Sequence, residues 1–198
     1  MKPHPSTEAA AEVAAWWRLV ELCLPSHEAC GAATFRPAGA ETLGKDWEEW
    51  VREIFHPVLR PSLFSLQAAA AAQDVRTLAE VDGRLGFALP GPAAQGSLAA
   101  GRRVLFGCVP PQGSRMLERL RSIAGNDGTV GHMATVFSAR AHVFHLPSVQ
   151  MAGAMLLAEC VLGAESVGVV LSASRTVEML QGVAEPLTAA PAVHVIAV

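Results

Sequence analysis

Three histidines in the second half of the chain, His132, His142 and His145, are the side chains best suited to bind a metal ion or a heme. A neutral imidazole is a competent ligand for both. His142 and His145 are three positions apart in a predicted strand, where side chains alternate between faces, so we expect them to point apart. His132, beside Gly131, is therefore the best single candidate for a cofactor ligand. The competing interpretation is a histidine with a purely structural role.

Cys108 is the candidate nucleophile. It ends an apolar run, where a thiol could be presented to a substrate, and Arg102, Arg103 and Arg115 are close enough in sequence to lower its pKa. A buried cysteine of a strand is the alternative interpretation. The chain contains no Gly-x-Ser-x-Gly, no His-Glu-x-x-His, no dinucleotide-binding glycine pattern after a strand and no Cys-x-x-Cys. These absences argue against the common classes of hydrolase, metalloprotease and oxidoreductase.

Two further patterns resemble binding sites without completing them. Cys23, His27 and Cys30 are zinc-type ligands, but a structural zinc site needs a fourth ligand and only His4 is near in sequence. Residues 39–46 nearly match a phosphate-binding loop, but Asp46 stands where a serine or threonine should hold magnesium. A carboxylate there would repel phosphates. We expect structural cysteines in the first case and an acidic helix N-terminus in the second.

Composition limits the possible functions. The chain has 198 residues, is 51% hydrophobic and has a formal charge of −3, so we expect a substantial core and little attraction for nucleic acid or anionic membrane. The longest apolar stretch, around residues 151–163, is interrupted by Glu159 and is too short to span a bilayer. No signal peptide is recognisable ahead of the four cysteines, which predicts reduced thiols and a cytoplasmic location.

The first half of the chain has helical periodicity. Apolar residues recur at spacings of three and four, and prolines separate the segments. The predicted helices run from Ser6 or Thr7 to about Leu24, from Asp46 to His56, from Pro61 to Ala72, and through Val75, Leu78 and Leu85. Residues 87–101 are rich in alanine, glycine and proline and are typical of a linker. We therefore predict a helical domain over residues 1–100, with the linker at about 87–101.

The second half carries four short apolar runs rich in valine and isoleucine. They cover residues 104–109, 142–146, 167–171 and 193–198. Runs without alternation suit strands that are buried on both faces, as in parallel sheets covered by helices. The segments between them, 114–123, 129–141, 148–160 and 176–187, are predicted helices. The expected fold class is α/β: a helical domain followed, over residues 102–198, by a small, mainly parallel, Rossmann/flavodoxin-like sheet of four strands.

The expected binding site follows from that sheet. Ligands of parallel sheets lie beyond the carboxyl ends of the strands, which here means residues 109–115, 146–149 and 172–175. Together with His132, the predicted cofactor-binding residues are the polar side chains of two of these connections: Gln112, Ser114, Ser172 and Ser174.

This layout resembles cobalamin-binding modules, and especially their bacterial sensory variants, some of which bind heme. The resemblance covers residues 46–198 and depends on residues 104–111, 142–147 and 169–174. It implies a tetrapyrrole cofactor, either cobalamin or heme. That family's Asp-x-His-x-x-Gly signature, whose histidine is the lower cobalt ligand, is replaced here by residues 110–116, which contain no histidine. Ligation of cobalt from the usual place is therefore lost.

Three functions remain open from the sequence. The first is a non-catalytic sensory or regulatory module of cobalamin-binding-like fold whose tetrapyrrole is altered or lost. The second is a protein-interaction or scaffold domain without a small ligand. The third is a small enzyme that uses Cys108 or the Ser172–Arg175 loop. A regulatory protein partner and self-association are expected, and nucleic acid is not.

Overall fold

The structure is a computed structural model that describes residues 5–25, 33–109, 111 and 114–181. These residues form helices and connections between them, and no strand occurs among them. A π-helical segment, Val51–Leu59, connects two of the α-helices. The α-helices are α1 Pro5–Cys23, α2 Leu43–Trp50, α3 Arg60–Ala71, α4 Val75–Ala88, α5 Gly91–Gly107, α6 Arg115–Asn126, α7 Met133–Val143, α8 Ser148–Ser166 and α9 Ala173–Gln181.

Helix α7 is the centre of the fold. All nine residues from Met133 to Ala141 are buried, and α7 packs against α1, α3, α4, α5, α6 and α8. A helix without a polar face has to be enclosed by other elements, because each of its sides carries apolar surface. The enclosed helix is also the element whose N-terminus lies beside His132, so the packing around α7 determines the environment of that histidine.

Helix α8 is the second enclosed element and packs against α1, α3, α7 and α9. Two glycines let large aromatic rings lie directly on its backbone. A Cβ at Gly153 would lie 2.7 Å from Cζ3 of Trp16, and a Cβ at Gly163 would collide with the ring of Phe35. The glycines therefore fix how closely α1 and residues 33–35 approach α8.

The segment Val51–Leu59 continues the helix through Pro57 instead of ending at it. Proline has no N–H and its ring collides with the carbonyl four residues earlier, which an ordinary α-helix cannot accommodate. The π-helical form widens the turn, and the N–H of Arg60 donates to the carbonyl of Phe55, five residues before it. The predicted end of this helix at His56 and Pro57 is therefore wrong.

Aromatic side chains of α2 contact Phe35 on one side and α9 on the other. The rings of Trp47 and Trp50 are stacked with centroids 5.2 Å apart, and the ring of Phe35 meets Trp47 edge-on at 5.1 Å. The indole Nε1 of Trp47 donates a hydrogen bond to the carbonyl of Met179 in α9 at 2.9 Å. Both indole rings are buried, so they belong to the core.

The predicted α/β class is wrong, because the flavodoxin-like sheet does not exist among the described residues. Residues 104–109 form the last turn of α5 and the residues after it, and residues 142–146 form the end of α7 and the following turn. Residues 167–171 are a turn and an extended connection between α8 and α9. Residues 193–198 lie outside the described part of the chain. A short apolar run fits the end of a helix, or the turn after it, as well as it fits a buried strand.

The predicted helices around these runs are found close to their expected positions, as α6, α7, α8 and α9. Residues 87–101, where the sequence predicts a linker, hold the end of α4 and the first eleven residues of α5, Gly91 to Gly101. Ala93 and Ala100 of α5 are buried, and α5 packs against α7. Helices from both sides of the predicted boundary thus contribute to one cluster of buried residues.

Candidate functional site

An open groove of about 390 Å³ lies between the turn that precedes α2 and the connection from α8 to α9. Its two walls come from parts of the chain that are about 130 residues apart in sequence. The residues that line it are Ala40, Glu41, Leu43 and Gly44 on one side, and Val169, Val170, Leu171, Ser172 and Arg175 on the other. We call this feature the 40–175 groove.

The first wall contains the segment that resembles a phosphate-binding loop. The carboxylate of Asp46 accepts hydrogen bonds from the N–H of Ala38 at 2.7 Å and from Oγ1 of Thr42 at 2.8 Å. These bonds, first the one from Ala38, lower the pKa of Asp46. A carboxylate that stays ionised and closes the loop on itself occupies the donors that a phosphate would need. The geometry therefore agrees with an acidic helix N-terminus.

The second wall is an extended stretch that follows α8. Gly168 has a positive φ of 75°, and the N–H of Val169 donates to the carbonyl of Ala164, which is the usual way to end a helix with glycine. Burial then alternates along the chain, with Val169 and Leu171 half-buried and the residue between them exposed, which is the pattern of an extended stretch. The stretch leads to Ser172, whose Oγ accepts a hydrogen bond from the N–H of Arg175 at the start of α9. Val170 lies in the middle of this stretch and is 90% exposed.

Arg175 reaches across the groove. Its Nη1 forms an exposed ion pair with Glu178 at 3.0 Å, and its Nη2 lies 3.4 Å from where a Cβ of Gly44 would be. Exposed ion pairs contribute little to stability, so the guanidinium can turn toward a ligand. The groove thus offers apolar side chains, one cation and one acid, Glu41.

The predicted cofactor-binding residues do not form one site. Ser172 lines the 40–175 groove, and Ser174 is exposed in the first turn of α9. Ser114 is buried at the start of α6, where its Oγ donates to the carbonyl of Pro111 at 2.6 Å. His132 lies at the start of α7. Gln112 lies outside the described residues.

His132 occupies the N-cap position of α7 and its ring is buried. Nδ1 has no hydrogen-bond partner among the described residues, and Nε2 lies 2.8 Å from where a Cβ of Gly86 in α4 would be. Burial lowers the pKa of His132, and the nearby charge of Asp82 opposes that shift. The imidazole is thus kept neutral, as a ligand must be, but α4 fills the space beside Nε2.

Asp82 is the main residue that sequence reasoning misses. Its buried carboxylate accepts hydrogen bonds from the N–H of Gly131 at 3.0 Å and from the N–H of His132 at 2.9 Å. The next amide, that of Met133, donates to Oγ of Ser97 at 3.1 Å. A signal for Asp82 does exist in the sequence, because it falls on the apolar side of α4 with Leu78, Val81 and Leu85.

The surroundings of Cys108 also differ from the expected ones. A small cavity of about 10 Å³, room for about one water molecule, is lined by Cys108, Arg121 and Arg140 together with apolar side chains. Arg140 is buried, and its Nη2 donates to the carbonyl of Leu22 at 3.2 Å. Arg102, expected to act on the thiol, instead donates to the carbonyls of Ala124 and Val130. Two of the side chains that line the cavity with Cys108, those of Arg121 and Arg140, are thus cations that were not expected to act on the thiol.

Metal ligation is limited by what the described residues bring together. They contain no group of three or more histidine, cysteine, aspartate or glutamate side chains that could hold a metal ion. In the predicted zinc pattern, Cys23 is buried, and burial raises its pKa to about 12. His27 and Cys30 of that pattern lie outside the described residues.

His142 and His145 lie together, not apart, at the end of α7, with ring centroids 6.3 Å apart. The expectation that they point in opposite directions is wrong because it assumed a strand there.

Tetrapyrrole binding stays a prediction. No family model, no curated protein and no solved structure matches this chain.

Proposed function

We propose that this chain is a non-catalytic helical module that binds an extended segment of a partner protein in the 40–175 groove. The observation that carries the proposal is Val170, an apolar side chain that is 90% exposed on an extended stretch beside an open groove. Val169 and Leu171, on either side of it, are partly buried against the core. The stretch is thus anchored by two side chains while the third is presented outward.

The backbone of this stretch supports the same interpretation. The N–H of Val169 is bonded to α8, but no acceptor among the described residues bonds the N–H groups of Val170 and Leu171. An extended stretch with unpaired amides is suited to pair with an extended chain through main-chain hydrogen bonds. Pockets on either side then select the partner's side chains. The apolar character of Val170 and Leu43 favours a segment with apolar residues at alternate positions.

The experiment is selection from a displayed library of extended peptides, followed by affinity measurement on the purified chain. We expect enriched peptides with alternating apolar residues, whose affinity falls at least tenfold in Val170→Asp. Val170→Pro should weaken them similarly, because proline removes the backbone donor. The matched control is Phe87→Asp, since Phe87 is 94% exposed but does not line the groove. Peptides that bind both Asp variants equally, or no enrichment, would refute the proposal.

No helix among the described residues is long and apolar enough to cross a membrane. Self-association and a cytoplasmic location stay predictions.

A further inference from the structure

Helices α3 and α7 end in the same way, and at both ends the residue in the left-handed conformation is not a glycine. Gln73 follows α3 with φ of 56°, and His145 follows α7 with φ of 54°. In both turns the next N–H reaches back over the last helical turn: Asp74 donates to Ala69, and Leu146 donates to Ala141, each at 2.9 Å. These are the hydrogen bonds that usually accompany a C-terminal glycine.

Glycine is favoured at such positions because a Cβ strains the left-handed conformation. A side chain retained there destabilises the turn, and residues held in strained conformations cluster at functional sites. Here the two strained residues are not scattered over the surface. Gln73 reaches His142, and His142 lies beside His145. The strain is therefore concentrated on residues that together present a set of potential ligands.

These three side chains lie close enough together to converge on one ion. Nε2 of Gln73 lies 3.4 Å from Nε2 of His142 and also donates to the carbonyl of Ala70 at 3.4 Å. Turning the amide over presents its oxygen to His142 at the cost of this long bond to Ala70. Two ligands of a tetrahedral zinc ion with bonds of about 2.1 Å are about 3.4 Å apart. The rings of His142 and His145 have centroids 6.3 Å apart at an angle of 72°. His145 is exposed, so its ring is free to turn toward a shared ion.

We propose that His142, His145 and the amide oxygen of Gln73 bind a divalent first-row transition-metal ion. Two imidazoles and one neutral oxygen suit Zn²⁺, Cu²⁺ or Ni²⁺ better than Mg²⁺ or Ca²⁺, which prefer carboxylates and water. Because His142 is half-buried and His145 is exposed, water or a partner's side chain completes the coordination. This site lies on α3 and α7 and does not depend on the 40–175 groove.

Zinc titration of the full chain by isothermal calorimetry tests the proposal. We expect one equivalent of Zn²⁺ to bind and to raise the melting temperature, as any ligand of the folded state does. The decisive variant is His145→Gly. It should abolish zinc binding at this site and yet raise the melting temperature of the metal-free protein, because glycine relieves the strain. Gln73→Gly should likewise stabilise the metal-free protein and weaken zinc binding severalfold.

His142→Ala, which changes no strained residue, should lower zinc affinity at least tenfold. The control is His56→Gln, which alters a half-buried histidine elsewhere and should leave the titration unchanged. The proposal is overturned if the wild-type chain binds no zinc. It is equally overturned if zinc binds with the same affinity in His145→Gly and His142→Ala, since the ion then occupies other ligands.

Discussion

The carboxylate of Asp82 accepts a hydrogen bond from the backbone N–H of His132 at 2.9 Å, fifty residues away in sequence. Its second oxygen accepts from the N–H of Gly131. The first amides of a helix have no partner within the helix, and they carry the positive end of its dipole. An acid from α4 thus supplies the cap of the central helix α7 and determines where that helix begins.

Replacing Asp82 with alanine should destabilise the protein by about 3 kcal/mol. The change leaves two buried N–H groups without partners and removes the negative charge from the helix N-terminus. Chemical denaturation followed by far-ultraviolet circular dichroism measures the effect. Asp74→Ala is the matched control, because Asp74 caps α4 through the N–H groups of Arg76 and Thr77 but is fully exposed. An equal loss in both variants would contradict the role given to Asp82.

Glu159 should make stability fall as pH rises above its usual titration range. Its buried carboxyl accepts hydrogen bonds from the N–H groups of Thr34 and Phe35, but burial dominates and raises its pKa. An acid whose folded-state pKa is raised binds more protons when folded, so stability is lost as pH rises from the unfolded pKa toward the folded one.

The difference in unfolding free energy between wild type and Glu159→Gln isolates this effect. Glutamine cannot ionise, whereas exposed acids such as Asp46, Asp74 and Asp127 titrate in both proteins and cancel. We expect the unfolding free energy of wild type to fall relative to that of the variant as the pH rises above 4.5, the usual pKa of a glutamate. Urea denaturation at a series of pH values measures this difference. A difference that is constant, or that grows with pH, would show that the hydrogen bonds outweigh the burial.

Replacing Gly163 or Gly83 with alanine should change the stability of the protein in opposite directions. A Cβ at Gly163 would collide with the ring of Phe35, so Gly163→Ala should destabilise by about 2 kcal/mol through overpacking. A Cβ at Gly83 in α4 meets nothing within 4 Å, so Gly83→Ala should stabilise by about 0.5 to 1 kcal/mol, as alanine favours the helix. Thermal melts of both variants check the signs. Destabilisation by Gly83→Ala would mean that α4 packs differently from the structure.

The bodies of the helices were predictable from the sequence, and the short apolar runs at or beyond their ends were not. Helices α1, α2 and α6 have polar residues at regular intervals, which reveal the period of 3.6. The apolar runs at the end of α5 and the end of α7 cover only five or six residues, which is too short to show a period that separates helix from strand. The run at residues 167–171 begins with the turn that ends α8, and its last three residues pair with no described strand.

The parts of the site that depend on long-range contacts could not be read from local patterns. His132 was singled out, but its burial against Gly86 depends on how α4 packs. Asp82 and Glu159 share one sequence feature, a single acid among apolar residues of a helix. For Glu159 this feature argues against a membrane span, but it also indicates a buried acid. A single acid on an apolar helix face indicates a buried acceptor, because an unpaired buried charge is strongly destabilising. Which amides it accepts from is decided by the fold.

The described cysteines should differ in reactivity. Cys23 and Cys160 are buried, and burial raises the pKa of each to about 12, which leaves about one thiolate in ten thousand at pH 8. Cys108 is only half-buried. Alkylation of the native protein with iodoacetamide, mapped by mass spectrometry, should therefore modify Cys108 well before the other two. Rapid labelling of Cys23 without unfolding would contradict the burial of the end of α1.

We expect His132 not to ligate hemin or hydroxocobalamin, so one equivalent of either should give no saturable spectral shift that depends on His132. To reach Nε2 a tetrapyrrole must displace α4, whose Leu78, Val81 and Leu85 are buried in the core. Exposing three such side chains costs about 6 kcal/mol, which weakens binding by more than ten-thousandfold. Ultraviolet-visible titration of wild type and His132→Ala makes the test. A saturable shift that disappears in His132→Ala would mean that α4 opens more easily than its packing implies, and would favour the tetrapyrrole sensor over the peptide-binding module.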